Sequence, residues 1–283
     1  MTFVARTGHT IGAVALLAAT VGACGQPAAS GSAGFGDGRL TLSGSSTVAP
    51  LAGEIAKRFE AAHPGVRVDV QTGGSSRGVA DARRGTVQIG MVSRTLGPTE
   101  TDLTATRIAM DGVALIVHAA NRVTRLSDAQ IVGIYTGRIA NWSAVGGADA
   151  AITVVTKAEG RSTLELFATH FGIDRTAIKA HVVIGENLHG VRTVAADPHA
   201  IGYVSVGTAE FERKTGVPIR MLPMNGVEPS TATVRDGRFP LSRPLNLVTA
   251  GRRPPLVDAF IAMAASAAVT DLVEGQFFVP VAE

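Results

Sequence analysis

The sequence predicts an α/β fold in which mostly parallel strands alternate with helices packed on their faces, and three observations lead there. Short apolar stretches of period two alternate along the chain with stretches whose apolar residues recur every three or four positions. Strand-like stretches run repeatedly into loops rich in Ser, Thr and Gly and then into a helix start, the order that builds parallel sheets with helical crossovers. Finally, 283 residues that are 46% apolar supply enough buried surface for one large domain or two lobes.

The chain opens with one early arginine, Arg6, and a nearly uncharged run from Thr10 to Ala23, too short to span a bilayer and suited to a signal-peptide core. Residues 1–23 are therefore expected to direct export. The run ends in Val21-Gly22-Ala23-Cys24, and Cys24 is the only cysteine, so no internal disulfide is possible. Residues 24–38, rich in Gly, Ala and Ser, read as a flexible tether.

The folded part is expected from Arg39. Arg39-Leu40-Thr41-Leu42 alternates as a strand, Gly44-Ser45-Ser46-Thr47-Val48-Ala49-Pro50 follows, and Leu51, Ile55 and Phe59 recur at helical spacing until His63-Pro64-Gly65 stops them. Pro50 fits only a first helical turn. The amides at that helix start lack intrahelical partners and, with the positive end of the helix dipole, favour an anion over the Ser-Ser-Thr loop. A cap on an ordinary surface helix would need the same residues.

The unit then recurs. Val66–Val70 alternates as a strand, runs into Gly73-Gly74-Ser75-Ser76-Arg77-Gly78, and continues as a helix from Val79 to Arg84. Val87–Val92 is a short strand ending in Ser93-Arg94, where a hydroxyl and a guanidinium arrive together. Val113–Val117 reads as a buried strand, and a crossing between lobes is placed near polar Asn121–Arg125. Ser127 and Gln130 have capping-box spacing at the head of a helix to Tyr135. Trp142, the sole tryptophan, reads as a packing anchor. Ile152–Val155 forms a strand that feeds Lys157-Ala158-Glu159-Gly160-Arg161-Ser162-Thr163 and a helix marked by Leu164, Phe167 and Phe171 and ended by Gly172, the third such unit. Ser162 and Glu165 again have capping-box spacing. A helix at Val191–Ala195, a strand at Ile201–Ser205, a second crossing near the proline-broken Phe239–Pro244, a strand at Leu245–Val248 and a helix through Leu256, Phe260 and Met263 complete the chain.

In such folds ligands bind beyond the carboxyl ends of the strands, so the three loops are expected to converge. A phosphate-like oxyanion requires many donors, one or two positive charges, and an acceptor for any protonated oxygen. The candidates are the hydroxyls of Ser45, Ser46, Thr47, Ser75, Ser76, Ser93, Ser162 and Thr163, the cations of Arg94, Lys157 and Arg161, and Glu159 or Asp111 as acceptor. A net charge of +3 without a basic block or an interleaved basic and aromatic run gives no signal for nucleic acid. No His or Cys pairs stand at metal-ligand spacing, and no cofactor motif occurs. The competing reading is a serine hydrolase using Ser76, because Gly74–Gly78 matches G-x-S-x-G between a strand and a helix. Its weakness is that nothing in the spacing of His118, His170, His181, His189 or His199 selects a base.

In order and spacing, these loops resemble those of the phosphate-binding lipoproteins of bacterial phosphate ABC transporters, the PstS-like periplasmic-binding-protein family. The resemblance covers nearly everything after the tether. It rests on Gly44–Pro50, Gly73–Gly78, Ile89-Gly90-Met91-Val92-Ser93-Arg94, Asp111-Gly112-Val113-Ala114, Ile134–Ile139 with Asn141-Trp142, and Ala200–Ser205. It implies a type II periplasmic-binding-protein fold, with residues 39–117 and 242–283 in lobe 1, 118–241 in lobe 2, and two crossover strands joining them. It also implies a monomeric, non-enzymatic protein that closes on inorganic phosphate and passes it to permease subunits, with Cys24 as the lipidated membrane anchor. Ser46, the Thr47 amide and Ser75 match the family's ligand positions. The third loop departs from the pattern: the family reads Gly-Ser-Gly-Thr after an arginine, whereas Gly160-Arg161-Ser162-Thr163 follows Lys157 here and keeps only Thr163 in type. Ser93 stands where better-known members carry an aspartate acceptor, which leaves sulfate, molybdate and arsenate as alternative ligands.

Overall fold

The structure, a computed structural model, describes residues 35–281. The expected signal peptide, Cys24 and the tether up to residue 34 lie outside the described residues. Phe35–Gly38, the last residues assigned to the tether, sit against the fold: Phe35 meets the His63 ring at 5.2 Å, and the Gly38 carbonyl accepts from Arg67 N at 2.9 Å.

Strand β1 (Arg39–Gly44) leads into helix α1 (Ala49–Ala62), whose first turn holds Pro50 and which ends at His63. Strand β2 (Arg67–Thr72), helix α2 (Ser75–Arg84) and strand β3 (Ile89–Val92) follow. The parallel ladders β1–β2 and β1–β3 set the carboxyl ends of all three strands side by side. Strand β4 (Leu103–His118) is 16 residues long. Helix α3 (Asp128–Tyr135) starts at a reciprocal capping box between Ser127 and Gln130, and Trp142 is buried with its indole N–H on the His199 carbonyl at 2.9 Å.

The second half repeats the alternation with β5 (Thr153–Lys157), α4 (Ser162–Phe171), β6 (Val182–Ile184), α5 (Asn187–Ala196), β7 (Ala200–Ser205), α6 (Val206–Lys214) and β8 (Ile219–Leu222). The short α7 (Thr231–Arg235), strand β9 (Ser242–Ala250), helices α8 (Pro255–Ala264) and α9 (Thr270–Gly275), and β10 (Val279–Pro280) close the fold.

The expectation of mostly parallel sheets needs correction. Strands joined by helical crossovers pair in parallel, as in β1–β2, β1–β3, β5–β6 and β5–β7, but every antiparallel pairing includes β4 or β9. These two strands lie against each other and turn the whole into one mixed sheet of order β2-β1-β3-β9-β4-β7-β5-β6. Parallel pairing requires a crossover connection; β4 follows β3 with no helix between them, and β9 runs opposite to both of its neighbours, β3 and β4.

Two large cores divide the residues. Leu40, Leu42, Ile55, Phe59, Ile108, Ala109, Leu247 and Phe260 belong to one, and Val113–Val117, Tyr135, Trp142, Phe167, Tyr203 and Leu241 to the other. The chain passes from the first to the second inside β4, between Ala109 and Val113, ahead of the expected boundary at 117. It returns between Leu241 and Leu245 at the start of β9. The buried apolar run Val113–Val117 packs with the core that follows it because it pairs with β7 and β8 there.

Candidate functional site

Three strand-to-helix loops and the end of β3 meet where β4 and β9 lie side by side. In the first loop Ser45 Oγ accepts from the amides of Thr47 at 3.2 Å and Val48 at 3.3 Å, holding the chain in a tight turn before α1. Gly44, at φ 131°, makes the turn possible; a side chain there would strike the Met91 carbonyl and the Gly78 Cα. In the second loop Gly74, at φ 95°, approaches the third loop so closely that a Cβ would meet the Gly160 carbonyl and the Arg161 side chain. Ser75 is thereby placed in the first turn of α2, earlier than the helix start expected at Val79, and the Ser76 amide donates to Gly160 O at 3.2 Å. In the third loop the expected Ser162–Glu165 capping box does not form. Arg161 is the N-cap residue, without a side-chain cap bond, and Ser162 turns its hydroxyl to the other loops.

The hydroxyls converge on Ser93. Ser45 Oγ donates to Ser93 Oγ at 2.9 Å, Ser162 Oγ lies 2.6 Å from it, and Ser75 Oγ bridges by accepting from the Ser93 amide at 3.1 Å and contacting Ser162 Oγ at 2.8 Å. A cavity of about 10 Å³, the space of about one water, is lined by Ser45, Ser46, Thr47, Gly74, Ser75, Ser93, Arg161, Ser162, Thr163 and Gly185. Eight of the predicted site residues are therefore brought together here.

Three are not. Arg94 makes a bidentate pair with Glu100, at 2.7 and 2.8 Å, and a further ion pair with Glu165 at 2.8 Å. Its bond to Glu100 holds the guanidinium still more basic than usual and holds the Glu100 carboxyl below its usual range, so its charge is already neutralised. Ser76 points away from the cavity and donates to Glu165 Oε1 at 3.0 Å. That carboxylate occupies the hydroxyl which the hydrolase reading needs on an imidazole. Lys157 is buried, 3% exposed, and touches the cluster only through a partner: its Nζ donates to Asn187 Oδ1 at 3.0 Å, and Asn187 Nδ2 donates to Thr47 Oγ1 at 2.9 Å. Burial, and after it the charge of Arg243, lowers the Lys157 pKa from 10.5 to about 7, with Arg161 adding to the effect and Glu186 opposing it.

The residue that sequence reasoning missed is Arg243 on β9. It is 1% exposed, yet its guanidinium reaches the first loop, the third loop and the end of β3: Thr47 Oγ1 at 3.1 Å, Thr163 Oγ1 at 2.9 Å and Ser93 Oγ at 3.4 Å. Asp111 on β4 fixes it with two bonds, from Nε at 3.2 Å and Nη2 at 2.9 Å. Asp111 Oδ1 in turn accepts from Ser205 Oγ at 2.9 Å and Gly207 N at 3.3 Å. All four lone-pair positions of this carboxylate are thus taken, so it orients Arg243 and is not free to accept from a ligand. Glu159, the other candidate acceptor, is exposed and pairs with Arg175 at 3.0 Å. Arg161 contacts Ser46 Oγ at 3.3 Å and pairs with Glu186 at 3.0 Å. The sequence did carry a signal for Arg243, a lone cation inside a proline-flanked strand start, Ser242-Arg243-Pro244, but no local pattern tells a buried arginine from an exposed one.

Chemically the arrangement is a donor cradle. Hydroxyls from the three loops and the end of β3, with the guanidiniums of Arg161 and Arg243, meet at the starts of helices α1, α2 and α4, an arrangement that favours a small oxyanion. Among the described residues no group of three His, Cys, Asp or Glu side chains is arranged to hold a metal.

Comparison with known proteins places these features in context. Residues 25–268 match the family model described as the PBP superfamily domain. The phosphate-binding protein PstS of Bacillus subtilis is 29% identical over 252 residues, 87% of this chain and 82% of that protein. A candidate phosphate ABC transporter substrate-binding protein from Clostridium perfringens, solved with bound phosphate, superimposes with a TM-score of 0.79 at 30% identity, over 86% of this chain and 100% of that one. An ABC-type phosphate transport receptor from Vibrio cholerae gives 0.72 at 28% identity with the same coverage.

Proposed function

We propose a function from one premise: the chain belongs to the PBP superfamily. It is an extracytoplasmic binding protein, not an enzyme, that captures inorganic phosphate and delivers it to the permease subunits of a phosphate ABC transporter. The observation that carries this reading is the convergence of Ser45, Ser46, Thr47, Ser75, Ser93, Ser162 and Thr163 on one point with Arg161 and the buried Arg243. The phosphate-bound Clostridium perfringens relative supports the choice of anion.

In this reading the two cores are the hearts of two lobes, 39–112 with 242–278 and 113–241, joined by β4 and β9. The anion binds where the loops of both meet. Ser46, Thr47, Ser75 and Ser93 come from one lobe, Arg161, Ser162 and Thr163 from the other, and Arg243 from the joining strand. Phosphate exchanges the hydroxyl-to-hydroxyl bonds around Ser93 for bonds to its own oxygens, a gain because hydrogen bonds to a charged partner are the stronger kind. Arg94 and Ser76, both engaged by Glu165, stand outside the ligand set and hold the rim of the closed form. Residues 1–23 direct export, Cys24 carries the lipid anchor at the membrane surface, and the protein acts as a monomer.

A thermal-shift series with phosphate, arsenate, sulfate and molybdate tests the ligand. Stabilisation by phosphate and arsenate is expected, and a response to sulfate or molybdate without one to phosphate overturns the assignment. Incorporation of labelled lipid that is lost in Cys24→Ala tests the anchor.

A further inference from the structure

We propose that Lys157 is the proton-linked element of this anion site: through Asn187 and Thr47 it passes its charge to the bound oxyanion, and binding of a dianion draws a proton onto its amine. The inference rests on the phosphate reading and adds to it a property of the site that a ring of hydroxyls and guanidiniums alone does not have.

The geometry is a two-step relay. Lys157 ends β5 with its amine enclosed, and its hydrogen-bond partner is Asn187 Oδ1 at 3.0 Å. The Asn187 amide nitrogen donates to Thr47 Oγ1 at 2.9 Å, and that hydroxyl lines the cavity. Among the described residues no carboxylate pairs with Lys157. The charges facing it from the surrounding elements are Arg243 on β9 and Arg161 before α4, both cations, and Glu186 before α5, which is partly exposed and already paired with Arg161. Asp111 on β4 is saturated by Arg243, Ser205 and Gly207. Glu159, in the loop that follows β5, is exposed and paired with Arg175. The Tyr203 phenol on β7, pushed up to about 12 by burial, stays neutral and accepts from the Lys157 amide at 3.3 Å.

An enclosed amine beside two guanidiniums holds its proton weakly, with a pKa of about 7. A dianion supplies the missing opposite charge and raises that value. The consequence has a definite sign. Below about pH 7 the lysine is charged before and after binding, and its contribution is independent of pH. Above that point binding takes up a proton, so affinity falls as pH rises, by up to about tenfold per unit, until the pKa of the complex is reached.

The test titrates inorganic phosphate into the purified full chain by calorimetry from about pH 8 to about pH 9.5, where phosphate keeps one charge state, in two buffers of different ionisation enthalpy. The native protein is expected to take up a proton and to weaken with pH by up to about tenfold per unit. Lys157→Arg, permanently charged, is expected to bind with no such slope and more tightly than the native protein at the alkaline end. Lys157→Gln is expected to lose the slope and to bind more weakly than the native protein at the lower end of that pH range. Melting curves confirm that both variants fold. Native binding that is flat with pH and exchanges no proton, or an unchanged slope in Lys157→Arg, overturns the proton linkage alone. Absence of phosphate binding at every pH overturns the phosphate reading and the linkage with it.

Discussion

Replacing Arg243 by Met has two consequences that are measured separately. The side chain makes five hydrogen bonds at 1% exposure, two of them to Asp111, itself 2% exposed. Removing the cation leaves Asp111 a buried carboxylate with only Ser205 and Gly207 as donors, and breaking such a pair costs about 3–5 kcal/mol. For a domain of this size that lowers the melting temperature by about 6–20 °C. The double variant Asp111→Asn with Arg243→Met is expected to recover most of this loss, because removing both charges removes the unpaired one. Affinity responds differently. A lost charged donor to phosphate costs about 1.5–3 kcal/mol, or roughly 10–150-fold in Kd, and Asp111→Asn restores none of it. Thermal denaturation and calorimetric titration of the four proteins in the cycle read both effects. Two results refute the reasoning: additive stability losses, which would mean that Asp111 and Arg243 are not coupled, or full phosphate affinity in the double variant, which would mean that Arg243 only balances Asp111.

Ser46→Ala and Ser75→Ala are each expected to weaken phosphate binding by about 1–3 kcal/mol in calorimetric titration, since each removes a donor from a charged ligand. Arg94→Gln is expected to change phosphate affinity by less than about threefold while lowering the melting temperature, because its charge is neutralised by Glu100 and Glu165; an affinity loss like that of Arg243→Met would return it to the ligand set. The Glu100 carboxyl is held below its usual 4.5, chiefly by Arg94, so its contribution to stability is present above pH 4.5 and lost as pH falls through the lowered value. Acid denaturation curves of native protein and Glu100→Gln should therefore converge at low pH. Gly44→Ala should abolish binding or folding, since its Cβ meets the Met91 carbonyl at a φ of 131°.

Local pattern carried much of this molecule and long-range pairing carried the rest. The loops around Ser45, Ser75 and Ser162 were legible because a strand period, a small polar loop and a helix period follow one another within a few residues. The capping box at Ser127 was legible for the same reason, and it forms. The box expected at Ser162 does not, because its hydroxyl finds Ser75 and Ser93, which are 87 and 69 positions away. Strand β4 was visible only in its apolar end, Val113–Val117. Its first half carries exposed Thr104, Ala105 and Arg107, is irregular between Arg107 and Ala109, and exists because β9 pairs with it. Arg243 and Arg94 mark the limit most clearly. Both are arginines that follow a serine at a strand boundary, and only their distant partners separate a buried cation reaching Thr47 and Thr163 from one held by Glu100 and Glu165.

The most direct test of the central claim is a crystal structure of the protein grown with inorganic phosphate. The anion is expected between the loops, within hydrogen-bond distance of the Ser46, Ser75 and Thr163 hydroxyls and of the Arg243 guanidinium, with Ser93 and Ser162 turned onto it. Phosphate seated elsewhere, or a site in which Arg243 still binds Thr47, Thr163 and Ser93 while the anion lies beyond its reach, would contradict it.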